Sequence, residues 1–340
     1  MAPQQKSQLN IVMGAMTFGE ARAEQARVHD LEDVKKILDV FQAHGHTEVD
    51  TARVYCDGTS EEYLGKIDWQ GRGLQMETKL YPTASSEALQ KHFGMRISHS
   101  PEDLRKYLKI SLKALNADKI DMFYLHGPDR TTPYDVTLKA INDLHKEGYF
   151  STFGISNYTA WEVAEMVTIC RERGYIQPTV YQGLYNAIHR AVEPELFPCL
   201  RKYGISFYAF NPLGGGLLTG RYNTIGEDAE AGSRFDSNRI QGQLYKKRYW
   251  HEHYFKAIQI IKEASEKAGL TMAEVALRWI SHHSLLKREF GDAVLIGASS
   301  LKHIEQNLTD FEKGPLPKEV VEALDQAWAT VKALASPYHH

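Results

Sequence analysis

Short β-type runs alternate with amphipathic helical segments along nearly the whole chain, and this alternation constrains the fold more than any other feature. The runs are Ile11–Ala15, Thr47–Asp50, Leu74–Leu80, Ile120–Leu125, Tyr149–Ile155, Thr179–Gln182, Ile205–Phe210 and Ala293–Ile296, each short enough for a buried strand. Between them apolar residues return at helical spacing, as in Val34, Ile37, Leu38 and Phe41 ahead of Gly45, or Leu104, Tyr107, Leu108, Leu112 and Leu115. Helix starts are marked by Ser100-Pro101-Glu102-Asp103 and by two capping-box patterns, Thr59-Ser60-Glu61-Glu62 and Thr159-Ala160-Trp161-Glu162. A strand that returns through a helix to the same end of its sheet pairs in parallel. Crossovers of one hand continue into a closed barrel or an open doubly wound sheet. Eight strand candidates favour the closed α/β (β/α)8 TIM barrel, and 340 residues suit one with a long loop after the seventh strand and a C-terminal helix. With no break in composition, residues 1–340 read as one domain. It has a polar N-terminal extension at 1–9, an irregular glycine-bearing loop at 212–248 with the acidic pair Glu227-Asp228, and a tail at 330–340.

The bulk numbers exclude several function classes. Lys and Arg total 40 against 43 Asp and Glu, a net charge of −3, so no basic excess speaks for nucleic acid or an anionic membrane. The three cysteines, Cys56, Cys170 and Cys199, form neither a disulfide framework nor a CxxC metal site. No apolar signal core and no membrane-length apolar stretch is visible. The expectation is a soluble cytoplasmic protein without a metal. His44 with His46, His251-Glu252-His253 and His282-His283 lack any recognised ligand spacing and read as surface or helix-end histidines.

In a barrel of this kind, residues at the C-terminal ends of the strands point into one shared mouth. Asp50, Lys79 and His126 each fall at or just past the end of one of three consecutive strands, and Tyr55 follows in the loop after the second. Each has an ordinary structural reading: Asp50 a turn cap, Lys79 a solvated rim residue, Tyr55 half-buried packing, His126 a partner for a loop carbonyl. All four at strand ends, in the chain order Asp, Tyr, Lys, His, resemble the catalytic tetrad of the aldo-keto reductases.

The set suits carbonyl reduction. A hydride reaching a carbonyl carbon leaves charge on oxygen, and an acid must protonate that oxygen. Tyr55 is such an acid, although a phenol of pKa ~10 is weak unless its conjugate base is stabilised. A nearby Lys79 ammonium lowers that pKa, Asp50 holds the lysine charged and in place, and His126 hydrogen-bonds the substrate oxygen.

No GxGxxG follows a strand and no GxxxxGK[ST] is present. The second half matches the family pattern instead. The segment Asn211, Pro212, Leu213, Gly214, Gly215, Gly216, Leu217, Leu218, Thr219, Gly220, Arg221 is similar to the loop that folds over the cofactor pyrophosphate, where glycines let backbone N–H groups approach phosphate. The resemblance implies that Ser156, Asn157 and Gln182 bond the nicotinamide carboxamide and that Tyr208 stacks on its ring. Asp50 joins the cofactor contacts. Gly297, Ser299, Lys302, Gln306 and Asn307 resemble the adenosine end, which in this family usually holds a 2′-phosphate; helix capping is the competing role of Ser299 and Ser300. Tyr55, His126, Tyr222 and Trp250 would face the substrate, Trp250 otherwise anchoring the long loop.

Further motifs, Glu48-Val49-Asp50-Thr51-Ala52, Tyr124-Leu125-His126-Gly127-Pro128-Asp129 and Pro178-Thr179-Val180-Tyr181-Gln182-Gly183 among them, are similar to the aflatoxin-aldehyde reductase branch of the family. That resemblance runs from about Val12 to Trp328. It implies NADPH/NADP+ as cofactor, a small-molecule aldehyde or dicarbonyl as substrate, and a homodimer. The chain departs from the branch in its tail, Ala335-Ser336-Pro337-Tyr338-His339-His340, which lacks the arginine that contacts carboxylated substrates. Two competing readings are a cofactor-binding regulatory subunit, as in the potassium-channel β-subunits that resemble this family, and alcohol oxidation in a biosynthetic pathway.

Overall fold

The computed structural model describes residues 4–227 and 229–340. Residues 1–3 of the expected N-terminal extension, and Asp228 of the acidic pair, lie outside the described residues. Strands β1 (Asn10–Gly14), β2 (Glu48–Asp50), β3 (Gln75–Leu80), β4 (Ile120–Leu125), β5 (Phe150–Ser156), β6 (Val180–Leu184), β7 (Ser206–Phe210) and β8 (Ala293–Gly297) close into a barrel in chain order. Every pair is parallel, and β1 meets β8 in register from Asn10↔Ala293 to Gly14↔Gly297. The expected (β/α)8 barrel is therefore what the chain forms.

The two-residue pleat sorts the strand residues into two layers. Met13, Val49, Met76, Phe123, Ile155, Phe207 and Val294 face outward into the large core shared with the helices. Val12, Met122, Tyr124, Val180, Tyr208, Ala293 and Leu295 face inward and fill the barrel itself. Near-continuous apolar strands follow from burial on both faces. The C-terminal helix Lys318–Val331 packs on the helix Glu252–Lys267.

Two sequence expectations are corrected locally. β6 runs two residues past Gln182, through Gly183, which looks like a turn signal. The glycine is there for space, since a Cβ would meet the Phe207 ring at 2.7 Å. The helix Thr59–Gly65 has no side-chain cap; it starts from Gly58, whose φ of 92° is left-handed. Thr59 Oγ1 donates to the Cys56 carbonyl at 2.6 Å, and Glu61 turns inward to Arg53 and Thr78. The Thr159–Glu162 box forms in full, opening the helix Ala160–Arg173.

The loop expected to be irregular over 212–248 ends in a helix, Ile240–Tyr249, and the rest is ordered by aromatic packing. Tyr222, Phe235 and Trp250 meet with ring centroids 5.1–5.5 Å apart. Its N-terminal root is tied by Asn211, whose Nδ2 donates to the Tyr249 hydroxyl at 2.9 Å. The tail returns over the C-terminal mouth of the barrel. The Ala160 N–H donates to the Tyr338 hydroxyl at 3.0 Å, and Arg130 Nη1 donates to the His340 carbonyl at 3.1 Å. Among the described residues no helix is long and apolar enough to cross a membrane.

Candidate active site

The C-terminal ends of the strands open into a cleft of about 610 Å³, within the range of small-molecule and cofactor sites. Asp50 is the last residue of β2 and Lys79 the penultimate residue of β3, and both point into the barrel because they share the inward pleat. Lys79 Nζ donates to Asp50 Oδ1 at 2.5 Å, to Oδ2 at 2.6 Å and to the Thr51 carbonyl at 2.7 Å. The ammonium is fully enclosed and the carboxylate 2% exposed, so the pair is a dry ion pair with all three ammonium protons used. Gln182 Nε2, from β6 across the barrel, donates to the same Asp50 Oδ1 at 2.8 Å.

Tyr55 follows β2 in a 3-10 turn where Cys56 and Asp57 hold left-handed φ angles of 49° and 55°. Such conformations are costly outside glycine and persist where the surroundings enforce them. The turn sets the Tyr55 ring over Lys79, with Nζ 5.0 Å from the ring centroid. Edge-on to it at 5.7 Å is the His126 ring, which also meets Tyr81 edge-on at 5.2 Å. Tyr55 and His126 both line the cleft.

The electrostatics differ from the expectation of a phenol made acidic by its lysine. Withdrawal from water, and then the Asp50 carboxylate, push the Tyr55 phenol well above its usual pKa. The reason is geometric: Asp50 sits at contact distance from Lys79, and its charge offsets part of the ammonium's field at the phenol. Burial first, and then Lys79, push the His126 imidazole well below its usual value, which keeps it neutral. Its Nδ1 is enclosed and unpartnered among the described residues.

From this centre the cleft runs between two walls. One is the end of β8 and its loop, with Leu295, Ile296, Gly297 and Ser299; the other is the long loop, with Asn211, Pro212, Leu213, Gly216 and Arg221. Asn157, with a φ of 66°, lines the centre and donates through Nδ2 to the His126 carbonyl at 2.9 Å. Ser156 sits just beneath, its Oγ accepting from the same Nδ2 at 3.0 Å. Gln306 and Asn307 line the far end, on the helix Leu301–Phe311. Ser300 caps that helix, accepting from the His303 N–H at 3.3 Å, while Ser299 bonds the His303 ring.

Several expected contacts lie elsewhere. Tyr208 does not reach the cleft; it is inside the barrel, its hydroxyl donating to Glu48 at 3.0 Å. Phe210, one pleat repeat further along the same face of β7, lines the cleft instead. Trp250 holds the loop together, donating from Nε1 to the Ile225 carbonyl at 2.9 Å, whereas Tyr222 does line the cleft. Gly214, Leu218 and Gly220 shape the loop without lining the cleft, and Lys302 is exposed outside it. The cationic role falls to Arg221, the last residue of the loop segment, and to two arginines that no motif marks. Arg27, from the loop after β1, joins Arg221 and Arg234, and it donates to the Gly232 carbonyl, bridging the two sides. Burial, then the charges of Arg234, Arg221 and Arg239, lower the Arg27 pKa. Four guanidiniums crowded around one region make a site suited to an anion.

A dinucleotide fits this donor set. Side-chain amides converge at the centre, an apolar wall with an aromatic ring follows, and guanidiniums with a helix N-terminus close the far end. Gly216, at φ 103°, leaves its Cβ direction open to the cleft, with nothing within 4 Å. The tail adds a residue at the mouth. His340 lines the cleft 6.3 Å from the Tyr81 ring, and burial followed by Arg248 lowers its pKa to about 4.

Comparison with known proteins finds relatives over nearly the whole chain. The model of the aldo/keto reductase family matches residues 10–329. An aldo-keto reductase of Pseudocercospora fijiensis is 50% identical over 89% of this chain and 99% of its own length. Human aldo-keto reductase family 7 member A3 is 44% identical over 94% of both chains, and human aflatoxin B1 aldehyde reductase member 4 is 43% identical over 93% of both. With the family model covering the barrel from β1 into the C-terminal helix, the chain belongs to the aldo/keto reductase family and is an oxidoreductase.

Proposed function

We propose that this oxidoreductase reduces aldehydes, dialdehydes and dicarbonyls among them, to alcohols with NADPH, and that Tyr55 supplies the proton. The observation that carries the reading is the dry Asp50–Lys79 pair directly beneath Tyr55, with His126 beside it, and Asp50, Tyr55 and His126 lining one cleft that suits a dinucleotide. Bound there, the reduced nicotinamide supplies the hydride. The neutral His126, with Nδ1 enclosed, offers Nε2 to the carbonyl oxygen and holds it near the Tyr55 hydroxyl. Raised well above its usual pKa, Tyr55 stays protonated across the neutral range. An alkoxide is a stronger base than a phenolate, so the proton moves from Tyr55 to the substrate oxygen. Lys79 then stabilises the phenolate at short range, and Asp50 and Thr51 prevent the ammonium from moving away. Preference for NADPH over NADH rests on the guanidiniums of Arg27, Arg221 and Arg234 and on the Ser299–Asn307 end. The aldehyde class is supported by the relatives named as aflatoxin B1 aldehyde reductases.

Following NADPH absorbance with 4-nitrobenzaldehyde, with NADH as control, tests the reading. Tyr55→Phe is expected to lower turnover by ~10²-fold or more, the scale of general acid catalysis, while NADPH still binds by fluorescence titration. Full turnover in that variant would remove Tyr55 as the donor.

A further inference from the structure

The barrel floor below the tetrad holds two carboxyl groups that the mechanism does not use. Glu77 lies on the inward face of β3, two residues before Lys79 and opposite Asp50 in the β2–β3 register. It is 1% exposed. Its Oε2 accepts from the Tyr124 hydroxyl at 3.1 Å, while its Oε1 receives no hydrogen bond from any described donor. Glu48, on the same inward face of β2, accepts from the Tyr208 hydroxyl at 3.0 Å and stands as a like charge near the Glu77 carboxyl.

Two carboxylates near each other in a dry interior repel, and a proton on one of them removes the repulsion. A carboxylate oxygen enclosed without any donor is costly, and a carboxylic acid at the same place removes that cost by donating. The surroundings are built for the group. Gly154 of β5 leaves room for the Tyr124 ring, since a Cβ there would meet it at 2.3 Å, and the ring carries the hydroxyl to Glu77. Facing Glu77 are Glu48 and Asp50 from β2, Lys79 from β3, Tyr124 from β4 and Tyr208 from β7, with Asp121 beyond Glu48. Lys79 is the one cation among them, and Asp50 already holds it at contact distance. Burial, followed by Glu48 and Asp50, accordingly pushes the Glu77 carboxyl well above the usual carboxylate range.

We infer that Glu77 is a positioning residue of this site: sharing one proton with Glu48, it stands as a neutral acid beneath the Lys79–Asp50 pair and leaves the lysine's charge for Asp50 and Tyr55. An ionised Glu77 would pull the ammonium toward the barrel floor and add a negative charge below the phenol. The inference rests on Tyr55 as proton donor for its kinetic consequence, but the protonation state itself does not.

Two measurements on the full chain test it. The infrared difference between the parent and Glu77→Gln at neutral pH is expected to show the C=O band of a protonated carboxylic acid in the parent only. No such band would overturn the inference. In NADPH-dependent reduction, Glu77→Gln replaces one neutral group by another, so its alkaline limb is expected to superimpose on the parent's. A limb about half a pH unit or more closer to neutral, the size charge pairs cause across a partly screened gap, would mean that the parent carries a negative charge there and would overturn the inference. If Glu77→Gln does not fold, Glu48→Gln serves, because removing the like charge lets Glu77 ionise sooner. Its acid band should vanish at lower pH than the parent's, and an unchanged titration would count against the shared proton. Tyr55→Phe run in parallel separates the two readings: turnover retained there removes the donor, whereas an absent infrared band removes only the role of Glu77.

Discussion

At the scale of single residues, the Asp50–Lys79 pair carries both chemistry and stability. With side chains at 2% and 0% exposure, neither charge has water to fall back on. Lys79→Met leaves Asp50 charged, enclosed and short of its ammonium, and should cost about 3–5 kcal/mol in urea unfolding, as breaking buried pairs does. Removing both charges, as in Asp50→Leu with Lys79→Met, should recover most of that loss. A double variant no more stable than the single one would show that the loss is of packing and not of charge. Phe210 poses a different question. Lining the cleft where Tyr208 does not, Phe210→Ala is expected to raise the NADPH dissociation constant several-fold, while Tyr208→Phe should leave it near the parent value.

The long loop shows how a mostly irregular segment that ends in the helix Ile240–Tyr249 is made to hold a shape. Tyr222, Phe235 and Trp250 give it a small aromatic core of its own, with Phe255 of the next helix edge-on to Trp250 at 5.1 Å. Aromatic pairs of this kind contribute ~0.5–1.5 kcal/mol beyond the area they bury. Trp250→Ala removes several such contacts and the hydrogen bond to Ile225, so it should loosen the loop and weaken NADPH binding about tenfold. The barrel's own unfolding midpoint should change much less. Equal losses in both measurements would mean that the loop and the barrel unfold together. The capping box at Thr159 is the simpler case: both of its hydrogen bonds are local, and Thr159→Ala should cost ~1 kcal/mol.

Acid sensitivity belongs to the whole molecule. Burial lowers the pKa of His46, His99 and His189 to about 4 each, in three separate parts of the chain. In the unfolded chain a histidine titrates near ~6.5, so between the two values the unfolded state binds more protons. The stability these residues contribute is therefore complete above that unfolded value and is lost as pH falls toward about 4. Urea midpoints should drop steadily from pH 7 to pH 5, on the order of 1–3 kcal/mol per histidine over the full shift. His99→Gln should make that slope shallower. An unchanged slope would mean that His99 takes up its proton at the same pH in the folded and the unfolded chain.

Much of this architecture was written locally. The barrel was legible because most strands are near-continuous apolar runs and most helices carry an apolar stripe, patterns that depend only on near neighbours. Asp50, Lys79 and His126 were legible too, since a residue at the end of a parallel strand enters the shared mouth whichever strands flank it. Tertiary structure alone decided what depends on barrel closure and on distant loops meeting. Whether Tyr208 or Phe210 reaches the cleft is set by depth along one inward face, which period-two patterning leaves undetermined. Arg27 joins Arg221 and Arg234 across some two hundred positions, and His340 reaches the mouth only because the tail folds back over it. Glu77 looked like one polar residue in a buried strand. Closure set it against Glu48, Tyr124 and Asp50, where low dielectric and like charge give a carboxyl group a different state.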